Sequence, residues 1–225
     1  MSKYHTPLFS WDSIDKIFLD LDGTLLDKYY DDYFWEHYVP KAYAKKHKVN
    51  PEECRALLLA TYKSIENTLQ WTDLDYWSDR LDMDIVALKK EIVHLVNIHP
   101  HVMEFLKHAS DMGKPTYLVT NAHPKTLAVK LGKIKIQDSF TQIICSQDVG
   151  MAKEQVEFWE ILQTIETFDK DSTLFVDDTE RVLDSAHSYG IKNLIHIAKP
   201  SSKLPSTFST NYPSIESFQA LLFNG

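Results

Sequence analysis

The chain has 225 residues, 44% of them hydrophobic and 25% charged, a composition that excludes fibrous and disordered classes and suits one core carrying a small inserted domain. Acidic side chains outnumber basic ones 32 to 24, for a formal net charge of −8, the wrong sign for neutralising a nucleic-acid backbone. No apolar run approaches the ~20 residues of a membrane span, MSKYHTPLFSWDSID lacks the apolar stretch of a signal peptide, and Cys54 and Cys145 are too far apart to suggest a disulfide framework, so we expect a cytoplasmic protein with two buried reduced thiols.

The first element in chain order is KIFLDL, residues 16–21, a short apolar run broken at Asp22-Gly23-Thr24 as a buried strand breaks into a loop. From about Tyr29 to Val96 only helical patterns occur. Tyr30, Phe34 and Tyr38 recur at spacing four, and PEECRALLLATYKSIENTL opens with Pro51 after the capping residue Asn50. DIVALKKEIVHLV closes the segment. After His99, Val102, Phe105, Leu106, Ala109 and Met112 mark one face of a helix that stops at Gly113 and leads into the strand PTYLVT. QIICS is the third strand, followed by a helix from about Lys153 to Phe168. STLFVDD is the fourth, followed by a helix through Val182, Leu183 and Ala186 that ends at Gly190. LIHIA is the fifth. SSKLPSTFSTNYPS reads as a surface loop, and SIESFQALLF as a last short helix.

Short apolar strands alternating with helices predict an α/β fold with a five-stranded parallel sheet covered on both faces. The all-helical segment 28–98 then becomes an inserted domain on a core formed by residues 1–27 and 99–225. In such sheets ligands sit beyond the carboxyl ends of the strands. Asp20 and Asp22 lie at the end of the first strand, Thr120 and Asn121 at the end of the second, and Asp177 and Asp178 at the end of the fourth. Lys153 opens the helix after the third. Separate crossings thus deliver polar residues to one rim, whereas charges placed only for solubility would scatter over both ends of the sheet.

FLDLDGTLLD, TN, Lys153 and VDD, in that order, resemble the four motifs of the haloacid dehalogenase superfamily, and the helical insert stands where that superfamily carries a C1-type cap. The resemblance implies a Rossmann-like core, a Mg²⁺-dependent phosphomonoesterase and an aspartyl-phosphate intermediate. It assigns Asp20 as nucleophile and Asp22 as the acid that protonates the leaving alkoxide and then the base that activates water. Asp20, the Asp22 backbone carbonyl and Asp178 are implied metal ligands, with Asp177 reaching the metal through water. Thr120, a backbone N–H near Asn121, and Lys153 are implied to hold phosphate oxygens, while Gly23 lets the chain turn beside them. Two departures from the family pattern stand out: the third motif reads GMAKEQ without the frequent proline, and the fourth is the Asp-Asp form. That form leaves the roles of Asp177 and Asp178 open.

A dehalogenase needs neither magnesium nor the second aspartate of the first motif, so Asp22, Asp177 and Asp178 point away from that chemistry. A phosphomutase would use the same core. A signalling receiver carries its acidic pair early and its acceptor aspartate on a later strand, which opposes that reading here.

The insert is rich in aromatics, among them Tyr29, Tyr33, Trp35, Trp71, Tyr76 and Trp77. Such rings fill helical cores, and they also stack on nucleobases. DDYFWEHYVP, LDYWSDRLDMDI, TNAHPKTLAVKL and LFVDDTERVLDSA resemble the bacterial GMP/IMP nucleotidase branch of the superfamily. That resemblance implies a small phosphorylated metabolite as partner, specifically a purine nucleoside 5′-monophosphate, with sugar phosphates or phosphoglycolate as the alternative. His123 is open between a substrate contact and a helix cap. His99 and His101 read as junction packing, and Asp27 as a brace for the loop joining core to insert.

Overall fold

A computed structural model of the chain describes residues 8–222. The start of the N-terminal stretch read for a signal peptide, residues 1–7, and Phe223 of the last expected helix lie outside the described residues.

After a 3₁₀ turn at Trp11–Ser13, β1 (Lys16–Leu19) is followed by α1 (Tyr29–Tyr33), α2 (Val39–His47), α3 (Pro51–Ser64), α4 (Leu69–Thr72), α5 (Leu74–Leu81) and α6 (Ile85–Glu91). It returns through α7 (Val102–Asp111), β2 (Thr116–Thr120), α8 (Pro124–Ile134), β3 (Gln142–Cys145), α9 (Ser146–Val149), α10 (Val156–Ile165), β4 (Thr173–Asp177), α11 (Glu180–Tyr189), β5 (Asn193–Ile197), β6 (Ser214–Ile215) and α12 (Gln219–Leu222). The sheet order is β3-β2-β1-β4-β5-β6 and every pairing is parallel.

The sheet therefore has six strands, not five. The sixth is Ser214–Ile215, the first two residues of the segment read as the last helix, and the helix itself is confined to Gln219–Leu222. Two residues carry no readable period. Their strand character comes from the edge of β5, where the His196 N–H donates to the Pro213 carbonyl and the Ala198 N–H to the Ile215 carbonyl, both at 2.8 Å.

Alternate strand residues separate onto the two faces, as a period of two requires. Ile17, Leu19, Leu118, Leu174 and Val176 join the cluster that holds Phe105 and Phe218 and continues into the helical insert. Phe18, Tyr117, Val119 and Phe175 join Phe158, Trp159 and Leu183 on the other face. With both faces covered, β2 and β4 are buried at every residue, which is why their sequences read as unbroken apolar runs.

Several helix ends follow from local chemistry. The Asn50 side chain accepts from the N–H groups of Glu52 and Glu53, and Pro51 occupies the first turn of α3. That helix stops at Ser64, short of the expected Leu69, because Asn67 turns left-handed (φ 65°) and Thr68 caps α4 afresh. Between α1 and α2 the chain makes a π-helical turn, Phe34–Tyr38. Pro40 has no N–H for the Glu36 carbonyl, and the Arg55 Nε–H takes that acceptor instead at 2.7 Å. Lys153 does not open a helix as expected: it lies in the turn between α9 and α10, which starts at Val156. That turn brings its side chain back over the sheet.

Candidate active site

Asp20 directly follows β1, and its N–H extends the ladder by donating to the Val176 carbonyl at 3.0 Å. Its carboxylate therefore stands beside Asp177, the last residue of β4. Between them sits the Lys153 ammonium, 2.6 Å from Asp20 Oδ1, 2.7 Å from Asp177 Oδ2 and 3.1 Å from the Val119 carbonyl oxygen. All three protons of the ammonium have acceptors, and Lys153 is only 1% exposed. Burial opposes its charge, but Asp177 and Asp20 outweigh that and hold its pKa above the ordinary lysine value. Burial raises Asp20 and Asp177, with Lys153 pulling both the other way.

The Lys153 backbone is fixed as firmly as its side chain. Its N–H donates to Asn121 Oδ1 at 3.0 Å, while Asn121 Nδ2 donates to Glu154 at 2.9 Å. The Trp159 indole N–H and the Ser185 hydroxyl both donate to the Lys153 carbonyl. The Asn121 side chain thus braces the lysine turn, a role the sequence did not suggest. Thr120 closes β2 with its Oγ1 accepting from the Ala122 N–H at 3.0 Å, which leaves the hydroxyl proton available to a ligand.

Asp178 follows Asp177, and its carboxylate packs against Gly23. Gly23 has φ 91°, and a Cβ built there would lie 2.5 Å from Asp178 Oδ2. Lys28 Nζ donates to that same oxygen at 2.8 Å. The Asp178 carbonyl meets His196 Nε2 at 3.1 Å, and His196 Nδ1 meets Ser214 Oγ at 3.1 Å. The unforeseen sixth strand therefore supports this corner of the site.

Asp22 is held by different partners. Lys130 of α8 donates at 2.5 Å both to Asp22 Oδ1 and to Asp31 Oδ2 of α1. Lys89 of α6 donates to Asp31 Oδ1 at 2.9 Å beneath the rings of Tyr30, Phe34 and Trp35. Burial pushes Asp22 up to about 6 against the pull of Lys130. Asp31 goes the other way, because Lys130 and Lys89 together overcome its burial. Lys28, Asp31, Lys89 and Lys130 were all missed in the sequence, since scattered lysines and aspartates on helices carry no motif.

These groups line a cavity of about 520 Å³ whose floor holds Asp20, Asp22, Thr120, Lys153, Asp177 and Asp178. Its roof includes Trp35, Leu59, Tyr62 and Trp71 of the helical insert, a size and lining suited to a small molecule. The insert's aromatics split between the two sequence readings. Tyr30, Phe34 and Trp77 are buried core, whereas Trp35 and Trp71, with ring centroids 6.0 Å apart, face the cavity. His123 also does both: Nδ1 accepts from the Lys125 N–H at 3.3 Å to cap α8, and the side chain lines the cavity.

Asp27 braces the loop as expected, its Oδ1 accepting from the N–H groups of Tyr29 and Ser202. His99 packs at the junction with its ring 3.0 Å from the Pro200 carbonyl oxygen. Cys54 and Cys145 are both free and buried. Among the described residues no helix is long and apolar enough to cross a membrane.

Asp20, Asp177 and Asp178 each offer a carboxylate oxygen within 4.8 Å of one another. Hard oxygen donors at this spacing fit a small divalent cation such as Mg²⁺. The three carboxylates outnumber the two ammonium groups paired with them, Lys153 and Lys28, which leaves carboxylate oxygens to spare for a metal.

Comparison with known proteins follows the same lines. The family model for haloacid dehalogenase-like hydrolases matches residues 17–195. The chain is 32% identical over 213 residues to the GMP/IMP nucleotidase YrfG of Escherichia coli (strain K12), covering 95% of this chain and 96% of that one. A HAD phosphatase from Thermococcus onnurineus superposes with a TM-score of 0.75 at 20% identity, over 92% of this chain and 96% of that chain. The L-2-haloacid dehalogenase of Xanthobacter autotrophicus superposes with a TM-score of 0.60 at 14% identity, over 93% and 97% of the two chains. The fold by itself is thus shared across different chemistries.

Proposed function

The chain belongs to the haloacid dehalogenase-like hydrolase family, and on that premise we propose that it is a Mg²⁺-dependent phosphomonoesterase that hydrolyses purine nucleoside 5′-monophosphates. The observation that carries the phosphatase reading is the floor of the cavity, where Lys153 is clamped between Asp20 and Asp177 with Asp178 close by and Asp22 at the rim. A dehalogenase has no use for that acidic surplus.

Asp20 attacks phosphorus, and as the new Asp20 O–P bond forms the bond from phosphorus to the ester oxygen breaks. Asp22 gives its proton to the departing alkoxide, which leaves as the nucleoside. Asp22 then takes a proton from water as that water attacks the same phosphorus, freeing Asp20 and inorganic phosphate. Lys153 and the Thr120 hydroxyl offset the charge spread over the phosphoryl oxygens, the main electrostatic work in this class of transfer. A divalent cation held by Asp20, the Asp22 carbonyl and Asp178, with Asp177 beside them, would neutralise the repulsion between carboxylate and phosphate.

The purine assignment rests on two supports: the nucleotidase relative, which matches over nearly its whole length, and the cavity roof, where the rings of Trp35 and Trp71 line the same cavity as Asp20 and Lys153 and offer faces for a base to stack on. Base–aromatic stacking is worth about 1–3 kcal/mol.

The test is phosphate release by the purified protein with Mg²⁺ across nucleoside monophosphates, sugar phosphates and phosphoglycolate, with Asp20→Asn as control. Preference for GMP and IMP supports the full reading. Preference for sugar phosphates or phosphoglycolate keeps the Asp20 chemistry and discards the purine. Activity surviving in Asp20→Asn, or in excess EDTA, discards the mechanism.

A further inference from the structure

Four charged side chains run in an unbroken line from the core to the helical insert: Asp22 in the loop after β1, Lys130 on α8, Asp31 on α1 and Lys89 on α6. Lys130 and Lys89 are each 1% exposed. Burying this many charges is a poor route to stability, because desolvation consumes most of the Coulombic gain. The geometry fits a different use. Lys130 is the only group bonded to the Asp22 carboxylate among the described residues, and it bonds Oδ1 alone. Oδ2 is left without a protein donor while Asp22 lines the cavity.

We infer that Lys130 is the positioning residue for Asp22, fixing one carboxylate oxygen so that the other is presented to the ester oxygen of the substrate. The inference deepens the phosphatase reading and rests on it. Lys130 does not touch the substrate; it sets the rotamer of the group that hands over the proton. Its ammonium is itself held in place, because Asp31 takes a second of its protons and Lys89 secures Asp31 from the far side. The α6–α8 packing that carries this line also joins insert to core.

The prediction is specific to the leaving group. An alkoxide such as a nucleoside 5′-oxygen must be protonated as it departs, whereas p-nitrophenolate leaves without help. A misplaced Asp22 therefore slows transfer from GMP and spares transfer from p-nitrophenyl phosphate. General acid catalysis contributes about 10²–10⁴-fold, so Lys130→Met is expected to lower the single-turnover rate at saturating GMP by at least about 30-fold. The rate with p-nitrophenyl phosphate should change by less than about threefold. Loss of a prop that merely stabilises the fold would slow both esters alike.

The experiment is rapid-quench single turnover with both esters at saturating Mg²⁺, on wild type, Lys130→Met and Asp31→Asn, with thermal melting to show that each variant is folded. Asp31→Asn weakens the hold on the Lys130 ammonium while leaving Lys130 itself in place, and should show the same selective loss to a smaller degree. If Lys130→Met does not fold, Lys130→Gln takes its place and is read in the same way. Equal losses on the two esters or no loss in Lys130→Met, or a selective loss in Asp31→Asn larger than that in Lys130→Met, each overturn the assignment of Lys130. If GMP is not a substrate, the alkyl ester the wild type prefers replaces it. Wild-type protein inert towards every ester overturns the phosphatase reading and this inference together.

Discussion

Gly23 and Asp178 are so close that a single methyl group cannot fit between them: a Cβ on Gly23 would stand 2.5 Å from Asp178 Oδ2 and 2.6 Å from its Cγ. The glycine also holds φ at 91°, where a side chain is strained. Gly23→Ala should therefore push the Asp178 carboxylate away from Asp20 and Asp177, the carboxylates proposed to hold the metal with it, as well as strain the loop. We expect a loss of stability of about 1–3 kcal/mol and a weakening of Mg²⁺ binding by tenfold or more, read by calorimetry on the folded variant. Unchanged metal affinity would show that Asp178 is not a ligand.

The pH dependence should follow Asp22. Burial raises its pKa to about 6 even with Lys130 opposing. The acid form needed for the first step predominates below that value and declines tenfold per unit above it. kcat/KM for a nucleoside monophosphate should accordingly fall with a slope near −1 above about pH 6. p-Nitrophenyl phosphate, which needs no proton, should lack that limb. Identical profiles for the two esters would remove Asp22 from the acid role.

Trp71 should matter to substrates that carry a base and to no others. It is half-buried in the cavity roof beside Trp35, and its carbonyl accepts from the buried Trp77 indole at 2.8 Å, so the backbone stays anchored when the ring is removed. Trp71→Ala is expected to raise KM for GMP by about 5–150-fold, the equivalent of one stacking contact. KM for ribose 5-phosphate should stay within about twofold. A parallel rise for both would place the base elsewhere.

The two thiols should be inert in the native protein. Burial, helped by a hydrogen bond to Asp148, pushes Cys145 up to about 11, and burial also raises Cys54. The thiolate is the reactive form, and at pH 8 only about one part in a thousand of a thiol with that pKa is ionised. Ellman's reagent should find almost no reactive thiol in native protein at pH 8 and two after denaturation. Rapid native labelling would show that either cysteine is accessible.

Much of the fold is legible in the sequence alone. β1, β2, β3, β4 and β5 were readable as apolar runs because a parallel sheet covered on both faces demands them, and the ends of those runs pointed to Asp20, Thr120 and Asp177. β6 was not readable, since two residues show no period and their pairing depends on an edge they do not contain. The helix expected from Lys153 failed for a related reason. Apolar periodicity resumes only at Val156, and nothing local reveals that the intervening turn folds the lysine back between two carboxylates.

The sequence by itself determined which residues reach the rim of the sheet, because strand and loop lengths are local properties and the polar residues stand at the strand ends. Only the tertiary structure decided what each of them touches there. Lys130 and Asp22 are 108 positions apart, and Lys28 and Asp178 150. No spacing rule links such pairs; they meet because α8 follows β2, the neighbour of β1 on one side, and because β4 is its neighbour on the other. The same holds for the aromatics of the insert, where spacing-four patterns place a ring on a helix face but not which face closes the core and which one roofs the cavity. That choice is made by the packing of the insert as a whole, which buries Trp77 and leaves Trp35 and Trp71 lining the cavity.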